Sequence, residues 1–409
     1  TAESGKGYFC NTTGGAFEMD LPAGSAGDIV AVADYSRNFA TANLTIDPNG
    51  SEKIGGIADY AALDIDGQAA TFVYVDSTQG WINVQNAEDT ETGLAPYITA
   101  TGGTITTCGD YKVHTFTGPG TLAVTTAPTP GNNTADYLVV GGGGSGGGNG
   151  GGGGGAGGFR LSNDLCMPAP LTSPLAHPTG ITLTASTNYP ITVGGGGAGL
   201  STPCSSSGGN AGNSSVFSSI TSAGGGKGGG NNTPTNSNVG GSGGSGGGSG
   251  VINPSHTPTG GAGSGNTPPV SPPQGQNGGT GYSPYASPYM GGGGGGAGAA
   301  GSPGAPGTAA PGGDGSYVIQ AGFAGCNGTT GPVSSTRYFA GGGGSGRCGP
   351  GTTPIPGGAG GGGAGMNANS GNATDSPDNS GGGGGGQGGY ARLTGSGGSG
   401  IVIIRYKYQ

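Results

Sequence analysis

Recognition chemistry in this chain is concentrated in Tyr282-Ser283-Pro284-Tyr285-Ala286-Ser287-Pro288-Tyr289-Met290. Tyrosines at spacings of three and four, stiffened by Pro284 and Pro288, offer broad apolar rings with hydroxyl tips at little entropic cost, as binding surfaces require. The same rings also suit packing on one another or on glycine faces. Tyr338, within Arg337-Tyr338-Phe339 before a glycine block, is a weaker candidate that also reads as the start of a packed segment. Polar stretches around His177, His256, and Asn367 with Asn369 carry groups able to hydrogen-bond a sugar or a protein loop, and equally read as solvated turns.

Catalytic and metal chemistry find little support. His114, His177 and His256 are far apart, and none has a second ligand at metal spacing. His114 falls on an expected strand, where a satisfied structural histidine is the ordinary case. No paired carboxylates, Ser-His-Asp order or H-E-x-x-H pattern occurs. Gly224–Gly230 (GGGKGGG) superficially suggests a phosphate loop, but Lys227 is followed by glycine rather than Ser or Thr. The expectation is a protein with no catalytic residue, metal or cofactor.

The elements that must position the candidate residues are unusual. Glycine supplies 108 of the 409 residues, 18 of them within residues 1–140 and 90 beyond. Each ordered glycine loses the most backbone freedom of any residue and buries no side chain, so an oily core is unavailable to most of the chain. Charged residues make up only 8% of the sequence, which does not fit a self-repelling disordered tail. Order must come from main-chain hydrogen bonding between extended glycine segments. In the polyproline II conformation every N–H and C=O points outward at three residues per turn, and neighbouring segments can satisfy them. The Gly-X-Y period of collagen is absent.

The first 140 residues differ. They carry 16 acidic and 4 basic residues, against 4 and 7 in the remainder. Period-two alternation at 28–34, 43–46, 70–74 and 80–84, punctuated by Asp47-Pro48-Asn49-Gly50 and Ile65-Asp66-Gly67, predicts a small β domain over residues 1–86, with Trp81 as a core anchor. A polar linker follows at 87–97, then a β segment at 98–135 with a turn at Gly109-Asp110. Two apolar runs, 136–140 (DYLVV) and 401–406 (IVIIRY), bracket the glycine blocks. Neither can bury its surface alone, so they are expected to pair and close a domain spanning 136–409. The expected fold is thus all-β modules followed by a polyglycine II helix sandwich closed by two strands, with essentially no α-helix. The connections between blocks become turns and loops at its ends.

Cys166 with Cys204, and Cys326 with Cys348, flank glycine blocks and are candidate disulfide pairs; six free or partly paired thiols are the alternative. No run of 18 apolar residues occurs, so no membrane insertion is expected, and the acidic balance speaks against a nucleic-acid partner.

The order of 109–116 (GDYKVHTF), 136–144 (DYLVVGGGG), 154–160 (GGAGGFR), 189–194 (YPITVG) and 398–406 (GSGIVIIRY) resembles the glycine-rich domain of tailed-bacteriophage tail fibres, over residues 98–409. The resemblance implies a receptor-binding adhesin in the virion, acting outside the cell on a host cell-surface receptor, an outer-membrane protein or glycan. It implies homotrimers, contacts with other tail or fibre proteins through the N-terminal region, and recognition by loops on a rigid glycine scaffold. A structural glycine-rich filament or cell-envelope protein without receptor recognition is the alternative, and an ice-binding protein a more distant one.

Overall fold

The computed structural model describes the chain except residues 88–96, 129–131, 202–206, 232–237, 252–260, 283–287, 306, 307, 309, 350, 352, 390 and 391. It divides into two compact units, Thr1–Leu94 and Ala95–Gln409. Strands dominate the regular structure, and no α-helix occurs among the described residues; the single helical turn, Gln320–Ala324, is of π type and interrupted by non-helical Ala321 and Gly322.

In the first unit, β1 (Lys6–Cys10), β3 (Ile29–Asp34), β6 (Ala69–Asp76) and β7 (Gly80–Ala87) form one sheet in the order β1-β3-β6-β7. A second sheet runs β2-β4-β5, from β2 (Phe17–Asp20), β4 (Leu44–Asp47) and β5 (Ala61–Leu63). Alternation along β3 and β6 puts Val30, Val32, Ala70 and Phe72 inside with Phe39, Leu44 and Ile46. Trp81 is fully buried, meets Tyr74 edge-on at 5.5 Å and donates its indole N–H to Glu52 Oε2 at 3.1 Å, so it anchors the core as its lone aromatic bulk suggests. Asp34 fixes the following loop. Burial opposes its ionisation, but the amides of Gly67, Phe39, Asn38 and Ser36 outweigh burial and hold its carboxyl below the usual range.

The second unit begins with β8 (Thr99–Thr101), β9 (Thr104–Cys108), β10 (Tyr111–Phe116), β11 (Gly120–Thr126) and β12 (Thr134–Val140). After the first glycine block come β13 (Phe159–Ser162), β14 (Ala176–His177), β15 (Ile181–Thr182), β16 (Thr187–Thr192), β17 (Ser215–Phe217) and β18 (Ile220–Ser222). Short strands β19 (Tyr289–Met290), β20 (Ser316–Ile319), β21 (Thr336–Phe339) and β22 (Arg347–Cys348) lie among later blocks, and β23 (Ile401–Lys407) ends the order. One sheet runs β14-β13-β12-β23-β10-β9, with β15 also on β12, and another β18-β17-β16-β11-β8. The two apolar runs pair antiparallel as expected, Val140 opposite Ile401 through Ala135 opposite Tyr406. Both faces of this central pair are covered. Tyr137, Val139, Val402 and Ile404 pack with Leu122, Val124, Ile191 and Phe217 of the other sheet, while Leu138, Val140, Ile401 and Ile403 pack with Phe159, Phe323 and Phe339. Burial on both sides explains why these strands read as continuous apolar runs rather than alternating ones.

Beyond Val140 the main chain bonds laterally to other segments. Amides of Gly141, Gly144 and Gly147 donate to Gly158, Gly155 and Gly152; those of Gly142, Ser145 and Gly148 donate to Asn213, Asn210 and Ser207; those of Gly143 and Gly146 donate to Gly398 and Gly395. Every third residue therefore addresses the same neighbour. The carbonyls of the same thread accept from Gly225, Gly228 and Asn231, from Gly384 and Gln387, and from Gly197. Six other stretches of chain thus surround 141–148, which is buried throughout. Side chains are excluded by contact: a Cβ on Gly143 would lie 1.9 Å from Gly382 O, and one on Gly146 2.0 Å from Gly385 O. The thread reverses at Asn149 (φ 53°) and Gly150 (φ 73°), where an Asn-Gly pair supplies the two left-handed residues that a tight reversal needs.

Candidate functional site

Each thread has a strand end, continuous with β12, β13 and β23, and a turn end marked by Asn149 and Gly150. At the turn end, Ser207 and Asn231 bond to Gly148, Val251 bonds to Gly150, and Gly281 donates to Ser249 Oγ. Ser207, Asn231, Val251 and Gly281 therefore lie on this one side. Local folding there follows from where glycine gives way to residues with side chains: Tyr289 and Met290 immediately precede a block, and Arg347 and Cys348 immediately follow one.

Several sequence candidates meet here. Tyr282 and Met290 exchange main-chain bonds of 2.7 and 3.0 Å; Met290 stands opposite Arg347 and Tyr289 opposite Cys348. Arg347 in turn bridges in parallel to Asn367, and Met366 to Gln387. Tyr282 and Tyr289 are half-buried and Asn369 is exposed, whereas Met290 and Asn367 are inside. Met290 fills lattice space and presents no surface to a partner.

Other candidates lie elsewhere. His177 belongs to β14 at the strand end, its Nδ1 2.9 Å from Thr179 Oγ1. Tyr338 is buried on β21 with its ring 5.1 Å from that of Tyr317, a packing role rather than a displayed one. Tyr285 and His256 lie outside the described residues, as does most of the 87–97 stretch. Neither proposed disulfide forms: Cys166 and Cys326 are exposed free thiols, and Cys204 lies outside the described residues. Thread packing, rather than loop closure by sulfur, brings the block ends together.

Arg347 and Gln387, which carry no sequence signal, complete the turn end beside Asn367. Arg347 Nε, Asn367 Oδ1 and Gln387 Oε1 are buried with no hydrogen-bond partner among the described residues. Asn367 Nδ2 donates to Thr353 O at 2.6 Å and Gln387 Nε2 to Gly371 O at 3.3 Å, which orients both amides. Cys348 Sγ rests 2.6 Å from Gly388 O, and burial pushes this thiol up to about 11.

Two further features stand apart. A concavity of about 780 Å³ at the strand end is lined by Thr104, Thr106 and Cys108 of edge strand β9 and by residues 319–327. In the first unit, the carboxylates of Glu18, Asp20 and Asp47 come within 4.8 Å of one another through the pairing of β2 with β4. These acids could hold a cation, although exposed acidic groups of this kind are common without one.

A family model described as a glycine-rich domain matches residues 115–407. The chain belongs to this glycine-rich domain family, whose match covers every glycine block and the strands from β11 to β23. No curated protein matches the sequence. No helix among the described residues is long and apolar enough to cross a membrane.

Proposed function

We propose that this chain is a structural scaffold protein whose glycine blocks form a polyglycine II lattice. The single observation that carries this reading is the period of three in amide donation from 141–148, with six surrounding stretches. Three residues per turn with all polar groups directed outward is the geometry of polyproline II, and glycine alone lets such helices approach closely enough to bond laterally. Eight residues at about 3.1 Å each give a thread of about 25 Å, fixed at one end by the double sheet. The material is a stiff block whose outward-facing connections are free to change, suited to a filament or envelope component with no enzymatic role.

A second reading follows from the gathering of block ends on one side, where Ser207, Asn231 and Val251 meet Gly148 and Gly150. Loops displayed together on a rigid base are a recognition surface, as in a phage tail-fibre adhesin carried on a virion as a homotrimer. In that reading the acidic first unit supplies attachment to other fibre proteins, and the turn end meets a host receptor.

Hydrogen exchange tests the lattice: amides of Gly141–Gly147 should exchange only on global unfolding, and random-coil rates would dismiss it. The two biological readings separate on the intact purified chain. Assembly into polymers without cell binding supports the scaffold, and saturable adsorption to bacterial cells supports the adhesin.

A further inference from the structure

Strand β9 ends its sheet. It pairs with β10 in unbroken register, Thr104 opposite Thr115 through Cys108 opposite Tyr111, and among the described residues no strand pairs with its other side. All five of its residues are exposed. Proteins commonly guard such an edge with a charge, a proline or a bulge, and Thr104-Ile105-Thr106-Thr107-Cys108 carries none of these. Thr104 and Thr106 share a face with Thr115 and Val113, and on that face lies the concavity of about 780 Å³, closed beyond by residues 319–327. Val113, Ile319, Phe323 and Ala324 give it an apolar lining. Its far wall is fixed: Gly325 N donates to Gln320 O at 2.8 Å, and the Arg337 guanidinium donates to the carbonyls of Cys326, Asn327 and Gly328. The hollow is thus formed in advance and open to solvent at Thr104, Thr106, Cys108 and Cys326.

We infer that β9 and this concavity together dock an extended, uncharged peptide segment of another protein, which adds to the sheet beyond β9 and places a large apolar side chain in the hollow. Edge and hollow select this class jointly. The outward N–H and C=O groups of an edge strand are matched by the main chain of an extended peptide, and alternate side chains of an added strand fall on one face. No residue lining the hollow is charged, so a charged side chain entering it would lose water without gaining a partner. A second copy of β9 fits poorly. On the face of the hollow it offers only Thr104, Thr106 and Cys108, which are too small to fill the space, and two chains of net charge −9 repel one another. The site lies at the strand end and is independent of what the turn end displays.

The test is selection of a yeast-displayed random peptide library on the intact chain, with counter-selection on Ala321→Trp. Ala321 is exposed, lines the hollow and has extended backbone (φ −68°, ψ 128°), so an indole there fills the space without disturbing the strands. Enriched peptides are expected to carry large apolar residues at alternate positions and no charge. Added to the natural chain, the synthetic peptide should slow amide exchange in Thr104–Cys108 by about tenfold or more. It should also slow iodoacetamide labelling of Cys108 and Cys326 but not of Cys166, which is exposed and lies outside the hollow. Thr106→Lys, which puts a guarding charge on an exposed edge position, should weaken binding by about tenfold or more. Unchanged exchange protection of Gly141–Gly147 in both variants separates loss of the site from loss of fold. Enrichment no greater than on Ala321→Trp, or a bound peptide that leaves exchange in β9 unchanged, overturns the proposal. Protection of β9 that rises with protein concentration in the absence of peptide would make a second copy the occupant and overturn it too.

Discussion

Asp136 and Arg405 stand directly opposite one another on β12 and β23, with Nη2 3.2 Å from Oδ2 and both side chains almost wholly buried. They join the two strands that bracket the glycine blocks. Asp136 also accepts from Ser162 Oγ and from the amides of Asp164 and Leu165, while Arg405 donates to Leu165 O and lies over the ring of Tyr111 at 4.3 Å. Burial nevertheless dominates, pushing the Asp136 carboxyl above the usual range despite these donors. Such a pair fixes register more than it adds stability, because desolvation consumes most of the Coulomb attraction.

Breaking the pair from one side leaves a buried charge alone. Asp136→Asn or Arg405→Met should each lower the unfolding free energy of the second unit by about 3–5 kcal/mol, whereas Asp136→Leu with Arg405→Met should recover most of the loss. Denaturant titration followed by tyrosine fluorescence measures this. Single variants costing under about 1 kcal/mol would show that the pair does not staple the strands.

The pairing of these strands was legible because an apolar run without alternation must be covered on both faces, and Asp136–Val140 and Ile401–Tyr406 are the two such runs that flank the blocks. Trp81 was legible as a core anchor for a similar reason. The neighbours of each thread were not. Glycine has no side chain with which to encode a partner, so register comes from sparse residues such as Ser145, whose Oγ accepts from Asn210 N, and the reversing Asn149. The turn-end group was partly visible through Tyr282, Tyr289 and Asn367, but Arg347 has no meaningful spacing to anything. Its setting is created by packing of threads 20 residues apart, seen in its bridge to Asn367.

Glycine should be irreplaceable where threads pack against one another and dispensable where a Cβ would meet open space. Gly143→Ala or Gly146→Ala places a methyl about 2 Å from a backbone oxygen, with no flexible side chain to yield. Each should cost more than about 3 kcal/mol, beyond ordinary overpacking. Gly118→Ala and Gly261→Ala meet nothing within 4 Å and should leave the melting temperature unchanged to within about 2 °C. Equal tolerance at all four positions would rule out close lateral packing.

His114 makes the second unit sensitive to mild acid. The ring is fully buried, with Nδ1 2.7 Å from Gly102 O and Nε2 2.8 Å from Tyr406 Oη, consistent with a neutral ring that donates to the carbonyl and accepts from the phenol. Burial, aided by the charge of Lys112, holds its pKa below 6.5. The unfolded chain therefore binds a proton near that pH before the folded one does. Stability is present above the unfolded value and is lost as pH falls toward the folded value, by at most about 1.4 kcal/mol per pH unit. Melting temperature between pH 7.5 and 5 should fall more steeply for the natural chain than for His114→Gln; parallel slopes would acquit this residue.

The thiols report on both units. Cys108, Cys166 and Cys326 are exposed, whereas burial, with the charge of Asp34 adding to it at Cys10, pushes Cys10 and Cys348 up to about 11. At pH 8 a thiol with that pKa is ionised to about one part in a thousand, and only the thiolate attacks an alkylating agent. Iodoacetamide should label the three exposed cysteines first, with Cys10 and Cys348 modified only in denaturant, as read by peptide mass mapping. Cys348 is the sharper probe, because its sulfur sits against Gly388 O and Asn149 Oδ1 between threads of the turn end. Modification of Cys348 as fast as Cys326 would mean that the threads part there under native conditions, and a base that opens in this way would not be rigid at its turn end.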